Sequence, residues 1–580
     1  MHAPRIEYDQ NYGVTLVPLW AYTLAAHIPE SWAAEVVNTQ IDPTLGSVNA
    51  SDIFAFSGLN KDLGTVRAAY DVIKSRFPDA IYVVGGPMTW SMEQEGKIDL
   101  LNYFNHIFIM DGEETLPRLL MALDNGDIDS FPSVIHADRF PISKSKPIRL
   151  DLLEKNIDKY FGGMIEVSRG CPFLCEFCDV RVLPGNNRSN NKAPEVIVQE
   201  LDAYYRLGIS QFQFVCDNFI GDIQWARECV DAILEWQERT RARISIFTWL
   251  TINLYKMPDL MRSMRKDGFS LCNIGIESVN HNSLLETAKV QNERVELLTA
   301  TSTIHAYGFI IVPGFIFGFD SDTEGVFDDT LRFMIDAGTI GSEPAFLQAL
   351  AGTPLYQRME QSGRLIDSSK ESVVVRKGNV GVERQIETNI QYLLDSDFLA
   401  DGFVKFMKTY LNPTFQYARF VKHMSLIDES GVYVEPPDSG GYASIGEYLK
   451  FQMDEVENRK MLAKRVWWML CRPGVMWSIF KAWKLTRRLS KKYFGLGVHF
   501  HYWAYVWSNM GMKYSNLKRE HINLHSVGKN FDFGRFALSI SKKSSGEAKR
   551  RGDEKSEQQA RYTNQALEKL LAERPNVAAE

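Results

Sequence analysis

"SRGCPFLCEFCD", Ser168–Asp179, places Cys171, Cys175 and Cys178 in the spacing C-x3-C-x2-C, three of only seven cysteines in 580 residues. A structural zinc site takes four ligands, and no further Cys or His follows Cys178 until Cys216. Three readings stand side by side: a zinc site, buried structural thiols, and a [4Fe–4S] cluster held by three thiolates that leaves one iron open. Cys216, Cys229, Cys272 and Cys471 lie singly in largely apolar surroundings, where a free cysteine behaves as a small hydrophobe.

The stretch sits inside a long strand–helix alternation. From about 160 to 355 the segments IEVSRG, QFQFVCDN, ISIFTWLTI, LCNIGIES, FIIVPGFIFGFD and AFLQAL alternate with helical patterns, which predicts a partial (β/α)6 barrel of parallel strands. Chemistry in such folds gathers at the carboxyl ends of the strands, where Cys171, Asp217, Asn218, Glu277 and Asp320 fall. Upstream, the helical stretch LVPLWAYTLAAHIP is followed by the strand candidates EVVNT, DIFAFSG, IYVVGG and HIFIM and the helix TVRAAYDVIKSRF. This predicts a Rossmann-like, doubly wound parallel sheet. Ser57, Gly58, Gly85, Gly86 and Pro87 stand at strand ends, where bare backbone admits a large flat ligand or simply makes turns.

The expected α/β organisation is a Rossmann-like domain over 1–145, the barrel over 146–358, a helical C-terminal domain over 359–540 and a disordered charged tail over 541–580, with a short amphipathic helix near Ala566–Ala572. Net charge is −7 and the isoelectric point about 6.0, without the basic footprint of a nucleic-acid binder. An odd cysteine count and a polar start, MHAPRIEYDQNYG, fit a reduced, cytoplasmic chain.

The cysteine stretch resembles the signature of the radical SAM superfamily. "FVCDNFIGD", "NIGIESVNHNSLLETAKVQN", "GFIFGFDSDT" and "AGTPLYQRMEQSGRL" extend the likeness to the subgroup with an N-terminal cobalamin-binding domain, near the hopanoid C-methylase branch, and "VVGGPMT" followed by "DGEETLPRLL" resembles that domain. The resemblance implies Cys171, Cys175 and Cys178 as cluster ligands, Asp217, Asn218, Glu277, Gly314 and Gly318 against S-adenosylmethionine (SAM), and Ser57, Gly58, Gly85, Gly86 and Pro87 against cobalamin. It implies a C-methyltransferase in which one SAM methylates cobalamin and a second, at the open iron, yields a radical that activates a carbon of a small, lipophilic biosynthetic intermediate. An electron donor such as flavodoxin or ferredoxin is the implied partner.

Two alternatives are cyclisation, oxidation or rearrangement on the same cofactors without methyl transfer, and a non-catalytic iron–sulfur redox sensor. The chain departs from its relatives in lacking the D-x-H-x-x-G motif, with neither His27 nor His106 restoring it. It also has Cys216 before Asp217 where two aspartates are common, and Trp249 where an acidic residue is frequent. Asp217 and Asn218 also read as helix N-caps, Glu277 as half of an internal ion pair, and Arg188 and Lys192 either as cations facing carboxylate or phosphate groups or as residues of a solvated loop.

Downstream, Lys481, Lys484, Arg487, Arg488, Lys491 and Lys492 join two aromatic-rich segments. Residues 463–512 are a candidate for peripheral membrane contact, set against a helical subdomain packed on the barrel. Tyr493–Met512 carries Gly495, Gly497, His499, His501 and Asn509, too many interruptions for a span.

Overall fold

The computed structural model describes residues 15–59, 62–293, 296–366, 386–437 and 456–528. The charged tail and the helix expected near Ala566–Ala572 lie outside them.

The first sheet contains β1 (Ile53–Ser57), β2 (Ile81–Gly85), β3 (His106–Ile109) and β4 (Val134–His136), all parallel and adjacent in chain order. Successive side chains of a strand point to opposite faces, and both faces here are covered. Tyr82, Val84, Ile107 and Ile109 pack with the helices Leu63–Arg76 and Pro87–Gln94. Val83, Phe108 and Ile135 pack with the helix Thr115–Asp124 and with Leu24, Ile28 and Trp32.

Two expectations change here. The strand order never reverses among the described residues, so the sheet lacks the switch point of a doubly wound fold. EVVNT is not a strand, and its place in the sheet's count goes to β4, hidden in the polar run SVIHAD. The helix Leu19–Ala25 reaches the barrel, because Leu19, Tyr22 and Ala25 enter the barrel core and the Tyr22 hydroxyl lies 3.1 Å from that of Tyr160. This helix therefore contributes to both cores, since Leu24 packs on the first sheet.

The barrel strands follow in chain order: β5 (Gly163–Glu166), the two-residue antiparallel partners β6 (Ser168–Arg169) and β7 (Asn190–Asn191), then β8 (Gln211–Val215), β9 (Ser245–Trp249), β10 (Phe269–Glu277), β11 (Ile310–Phe317) and β12 (Glu343–Phe346). β5 and β8 through β12 form one parallel sheet with β5 and β12 at its two edges, an open six-stranded barrel as expected. Its interior and helices share one apolar core that includes Phe214, Ile246, Ile274 and Phe317.

Beyond the barrel the chain is largely helical, but β13 (Ile386–Tyr392) pairs in parallel with β14 (Ile522–Ser526). ETNIQY and INLHS are short and half polar, which conceals them from a hydrophobic-period reading. Tyr392 ties this pair to the barrel through its hydroxyl, 2.7 Å from the Leu347 carbonyl. Among the described residues no helix is long and apolar enough to cross a membrane.

The helices Leu297–Ala306, Pro413–Ser430 and Gly497–Tyr514 meet at three buried histidines. His423 Nε2 lies 2.7 Å from His499 Nδ1, and the His305 and His423 rings meet edge to face at 4.5 Å. Burial pushes all three imidazoles down, His305 to about 4 and His423 and His499 well below their ordinary value. A histidine with a depressed folded pKa adds stability above its unfolded value of about 6.5, and that stability is lost as the pH falls below it. Relative to a His423→Gln variant, the wild type loses about 2 kcal/mol more between pH 7 and pH 5 in chemical denaturation. Equal pH slopes for the two proteins overturn the assignment.

Candidate active site

The three cysteines lie on the loop between β6 and β7, at the carboxyl end of β5. The loop begins with a sharp turn. Gly170 has φ +89°, and a Cβ there would overlap the Arg188 carbonyl. Its N–H donates to Asp217 Oδ2 at 2.6 Å, and the Cys171 N–H donates to the Asn186 carbonyl at 2.9 Å. Just before the turn, Arg169 donates to Glu166 at 2.7 and 2.9 Å, to Glu113, and pairs with Asp111 at 3.3 Å. Asp111 and Glu113 follow β3, so this guanidinium joins the carboxyl end of the first sheet to the entrance of the cysteine loop.

The middle of the loop is held by Glu176, between Cys175 and Phe177. Its N–H donates to the Thr287 carbonyl at 2.8 Å, and its carboxylate accepts two bonds from Arg358 at 2.8 and 3.0 Å. Arg358, on the helix Pro354–Gln361, also donates to Asp320, which takes two more bonds from Arg364 at 2.7 and 2.9 Å. The Glu286 carboxylate caps the same turn by accepting from the N–H groups of Asp320 and Ser321 at 2.9 and 2.7 Å. Against the effect of burial, the Arg364 and Arg358 guanidiniums hold the Asp320 carboxyl well below its ordinary value. Burial and the neighbouring Asp320 charge push Glu286 up to about 8.

Around the thiols the available groups are polar and partly unused. Asn218 Nδ2 lies 3.9 Å from Cys171 Sγ, and Gln291 Nε2 lies 3.4 Å from Cys175 Sγ. The buried carbonyl oxygens of the Asn218, Gln291 and Asn292 side chains have no hydrogen-bond partner among the described residues. Buried polar atoms are rarely left so. Burial and the neighbouring Cys175 push the Cys178 thiol up to about 12, and burial also raises Cys171.

No three His, Cys, Asp or Glu side chains among the described residues converge as the ligands of one metal ion would. The three thiols of this one loop suit a cluster, in which each cysteine binds a different iron.

Glu277 ends β10 in an unusual conformation, φ +65°, at an irregularity in the β10–β11 register. One carboxylate oxygen accepts from Lys289 at 2.8 Å, the internal ion pair that was one of its two readings. The other faces the bare Cα of Gly314, where an added Cβ would sit 3.7 Å from it and meet nothing nearer. The Glu277 charge raises Lys289 against the lowering effect of burial, so this cation beside Cys175 and Cys178 stays charged. Gly314 thus leaves room beside the cysteine loop. Gly318 does not, since its φ of +97° and missing Cβ accommodate the Tyr392 ring.

Neither Asp217 nor Asn218 caps the following helix; Asp222 does, accepting from the Trp225 N–H at 3.1 Å. Cys216 is buried with its sulfur 3.3 Å from Thr248 Oγ1, and Trp249 packs on Phe247. Arg188 is exposed as a loop residue, but Lys192 is fully buried and paired with Glu200 at 3.0 Å. Cys229 and Cys272 are buried as expected, whereas Cys471 is exposed.

Ser57, Gly58, Gly85, Gly86 and Pro87 come together at the carboxyl ends of β1 and β2. Gly58 and Gly86 are accounted for by the chain itself, whereas a Cβ on Gly85 would meet nothing nearer than Phe108 at 3.5 Å. A Cβ on Gly86, at φ +89°, would overlap Ser57 Oγ, one on Gly58 would lie 3.0 Å from Asp62 Cβ, and Pro87 opens the helix Pro87–Gln94. His106 is held at the opposite end of β3, its Nδ1 2.8 Å from the Pro132 carbonyl, and His27 stands edge-on to Phe140. Sequence reasoning missed Glu176, Lys289, Gln291, Asn292 and Arg358, though all lie within stretches quoted for the family likeness; a charged residue between two cysteines was the available signal.

Comparison with known proteins agrees with this geometry. The model of the radical SAM superfamily matches residues 165–334, and that of a domain of unknown function, DUF4070, matches 353–508. An uncharacterized methyltransferase of Synechocystis is 32% identical over 62% of this chain and 66% of its own length. The hopanoid C-2 methylase of Rhodopseudomonas palustris is 29% identical over 62% of this chain and 67% of its own. The chain therefore spans about two thirds of the length of these relatives.

Among solved structures, the cobalamin-dependent SAM radical enzyme OxsB, with aqua-cobalamin and SAM bound, shares the fold at a TM-score of 0.52. Its identity is 14%, over 87% of this chain and 82% of that one. The radical SAM methyltransferase TsrM of Kitasatospora setae, with cobalamin and a [4Fe–4S] cluster bound, gives 0.50 and 15% over 60% of this chain and 73% of that one. The three-cysteine loop, the open parallel barrel that carries it and these likenesses lead to one conclusion: residues 165–334 of the chain are a radical SAM domain.

Proposed function

We propose that this protein is a cobalamin-dependent radical SAM C-methyltransferase acting on an unactivated carbon of a small, lipophilic biosynthetic intermediate. The observation that carries the reading is the position of the cysteine loop, at the carboxyl end of the barrel and bolted through Arg169 to the carboxyl end of the first sheet. The names of the relatives, two of them methyltransferases, support methyl transfer, and the hopanoid methylase supports a lipophilic substrate.

Cys171, Cys175 and Cys178 would hold a [4Fe–4S] cluster, and the carboxyl ends of β1–β3 would face cobalamin. When bound, the cluster supplies one electron to the sulfonium of SAM and cobalamin carries the methyl group. The chain's own residues do the rest. The side-chain amides of Asn218 and Gln291 donate toward the Cys171 and Cys175 sulfurs, stabilising their thiolate forms. Lys289 places a positive charge beside the thiolates and fixes one oxygen of Glu277, leaving the other to accept from SAM over Gly314. Asp217 is spent on the Gly170 N–H, so its part is to hold the turn. Glu176, Arg358 and Asp320 keep the loop in one position.

Two experiments test this. Anaerobic reconstitution with cluster, cobalamin, reductant, methyl-labelled SAM and an extract of the host should give 5′-deoxyadenosine, S-adenosylhomocysteine and a labelled product, with Cys175→Ala abolishing deoxyadenosine. Deoxyadenosine without label transfer refutes methylation, and cleavage retained by Cys175→Ala refutes the cluster assignment. Arg358→Met strands the buried Glu176 charge, a loss of about 3–5 kcal/mol. It should lose iron in air on the order of ten-fold faster than wild type, with Arg358→Lys in between. Equal iron retention in all three removes the positioning role of Arg358.

A further inference from the structure

The aromatic and basic segment 463–512 divides into two parts with opposite fates. The helix Gly497–Tyr514 is an internal element. Trp503 and Trp507 are buried, their indole N–H groups donating to Gln416 Oε1 and the Leu411 carbonyl, each at 3.1 Å. The helix Pro473–Leu489 is different. Val475, Ser478, Ala482, Thr486 and Leu489 form its buried stripe, packed against Pro413–Ser430. The opposite stripe exposes Trp477, Phe480 and Trp483 at 59%, 45% and 42%. These rings are stacked in sequence, Trp477 on Phe480 at 5.7 Å and Phe480 on Trp483 at 6.0 Å. On the preceding helix, Val456–Leu470, Trp467 is 70% exposed and Leu470 56%. Apart from Trp20, every exposed Trp or Phe among the described residues lies between 467 and 494.

A contiguous exposed aromatic surface of this kind marks a contact site, and its charge says with what. From Arg459 to Arg519 the sequence contains no Asp or Glu. Lys484, Arg487, Arg488 and Lys491 are exposed on or just beyond the aromatic helix, Lys484 within 5.8 Å of the Phe480 ring and Arg487 within 5.3 Å of Trp483. Two carboxylates reach its far end, where Asp428 pairs with Lys492 at 2.8 Å and Glu435 accepts from the Phe494 N–H at 3.0 Å. The Asp428 charge also reaches Arg488, while Lys484, Arg487 and Lys491 have no partner among the ion pairs described. Indole and phenyl rings set among lysines and arginines match the headgroup region of a bilayer, where rings sit at the acyl boundary and cations meet anionic lipid.

We propose that the outer stripe of the helices Val456–Leu470 and Pro473–Leu489 docks the protein on an anionic lipid bilayer, inserting Trp477, Phe480 and Trp483 to headgroup depth without crossing it. An acidic protein would be met by the cations alone and would leave three stacked rings in water, so the observations favour the bilayer. The proposal is independent of the methyl-transfer reading.

Flotation of the full-length, reconstituted protein on phosphatidylcholine vesicles, with and without phosphatidylglycerol, tests it. Wild type and Trp20→Ala should float with the anionic vesicles, and less so as salt rises. Trp477→Ala/Phe480→Ala/Trp483→Ala should weaken partitioning about ten-fold or more, and each of Lys484→Gln, Arg487→Gln and Arg488→Gln about five-fold. Near-UV circular dichroism checks that each variant is folded. With wild type alone, lipids brominated near the headgroup should quench tryptophan emission. Absence of flotation at low salt, an unweakened triple variant, flotation without quenching, or capture of an acidic protein in place of vesicles would each overturn the proposal.

Discussion

The chain of buried charges from Glu176 through Arg358 and Asp320 to Arg364 is the interaction on which the site depends. The cysteine loop contains almost no regular structure, and neither backbone ladder nor helix fixes Cys175 or Cys178. Its position must come from outside, and it comes from a guanidinium on a helix 182 residues further along the chain. Taking these groups out of water is costly, and the cost is offset only while every one keeps its partners. The network therefore tolerates few alternative arrangements of the loop. Its worth lies more in specifying one geometry than in net stability. The same logic explains Glu286, whose carboxylate closes the turn carrying Asp320 by accepting two backbone N–H bonds.

A second ionic contact sets the two sheets against each other. Arg169 stands one residue before the turn at Gly170 and binds carboxylates from both sides, Glu166 on the barrel and Asp111 and Glu113 after β3. Any shift of the first sheet would be felt one residue from the start of the cysteine loop. The carboxyl ends of both parallel sheets are thereby held toward one another, the ends at which such sheets bind ligands. The helix Leu19–Ala25 strengthens this by packing Leu19, Tyr22 and Ala25 in the barrel core while its Leu24 faces the first sheet.

What the sequence disclosed follows the range of the forces involved. The cysteine spacing and the six barrel strands were legible because each is a local pattern, a short ligand motif or an apolar run bounded by turns. Gly170 was legible for the same reason, since a glycine between strand and loop has one evident use. Residues whose roles are set by distant partners were not. Lys192 looks like a loop cation in sequence and becomes a fully buried partner of Glu200 in the fold. Gly318 looks like a ligand-approach glycine and instead accommodates Tyr392, 74 residues away. β13 and β14 failed to register because their pairing spans more than a hundred residues and neither strand is apolar enough to announce itself.

The aromatic residues beyond 460 show the limit of composition most clearly. Trp477 and Trp483 occupy surroundings in sequence much like those of Trp503 and Trp507, with rings and basic residues close by in both cases. Their fates differ because the helix Pro473–Leu489 has one flank occupied by Pro413–Ser430, and its small residues Ser478, Ala482 and Thr486 are what let that neighbour approach. Seating the tryptophans outward is thus a consequence of placing small side chains inward. The helix Gly497–Tyr514 does the reverse, giving its large rings to the core and supplying each indole with an acceptor. The small residues of a helix identify its buried side here more reliably than its large apolar ones.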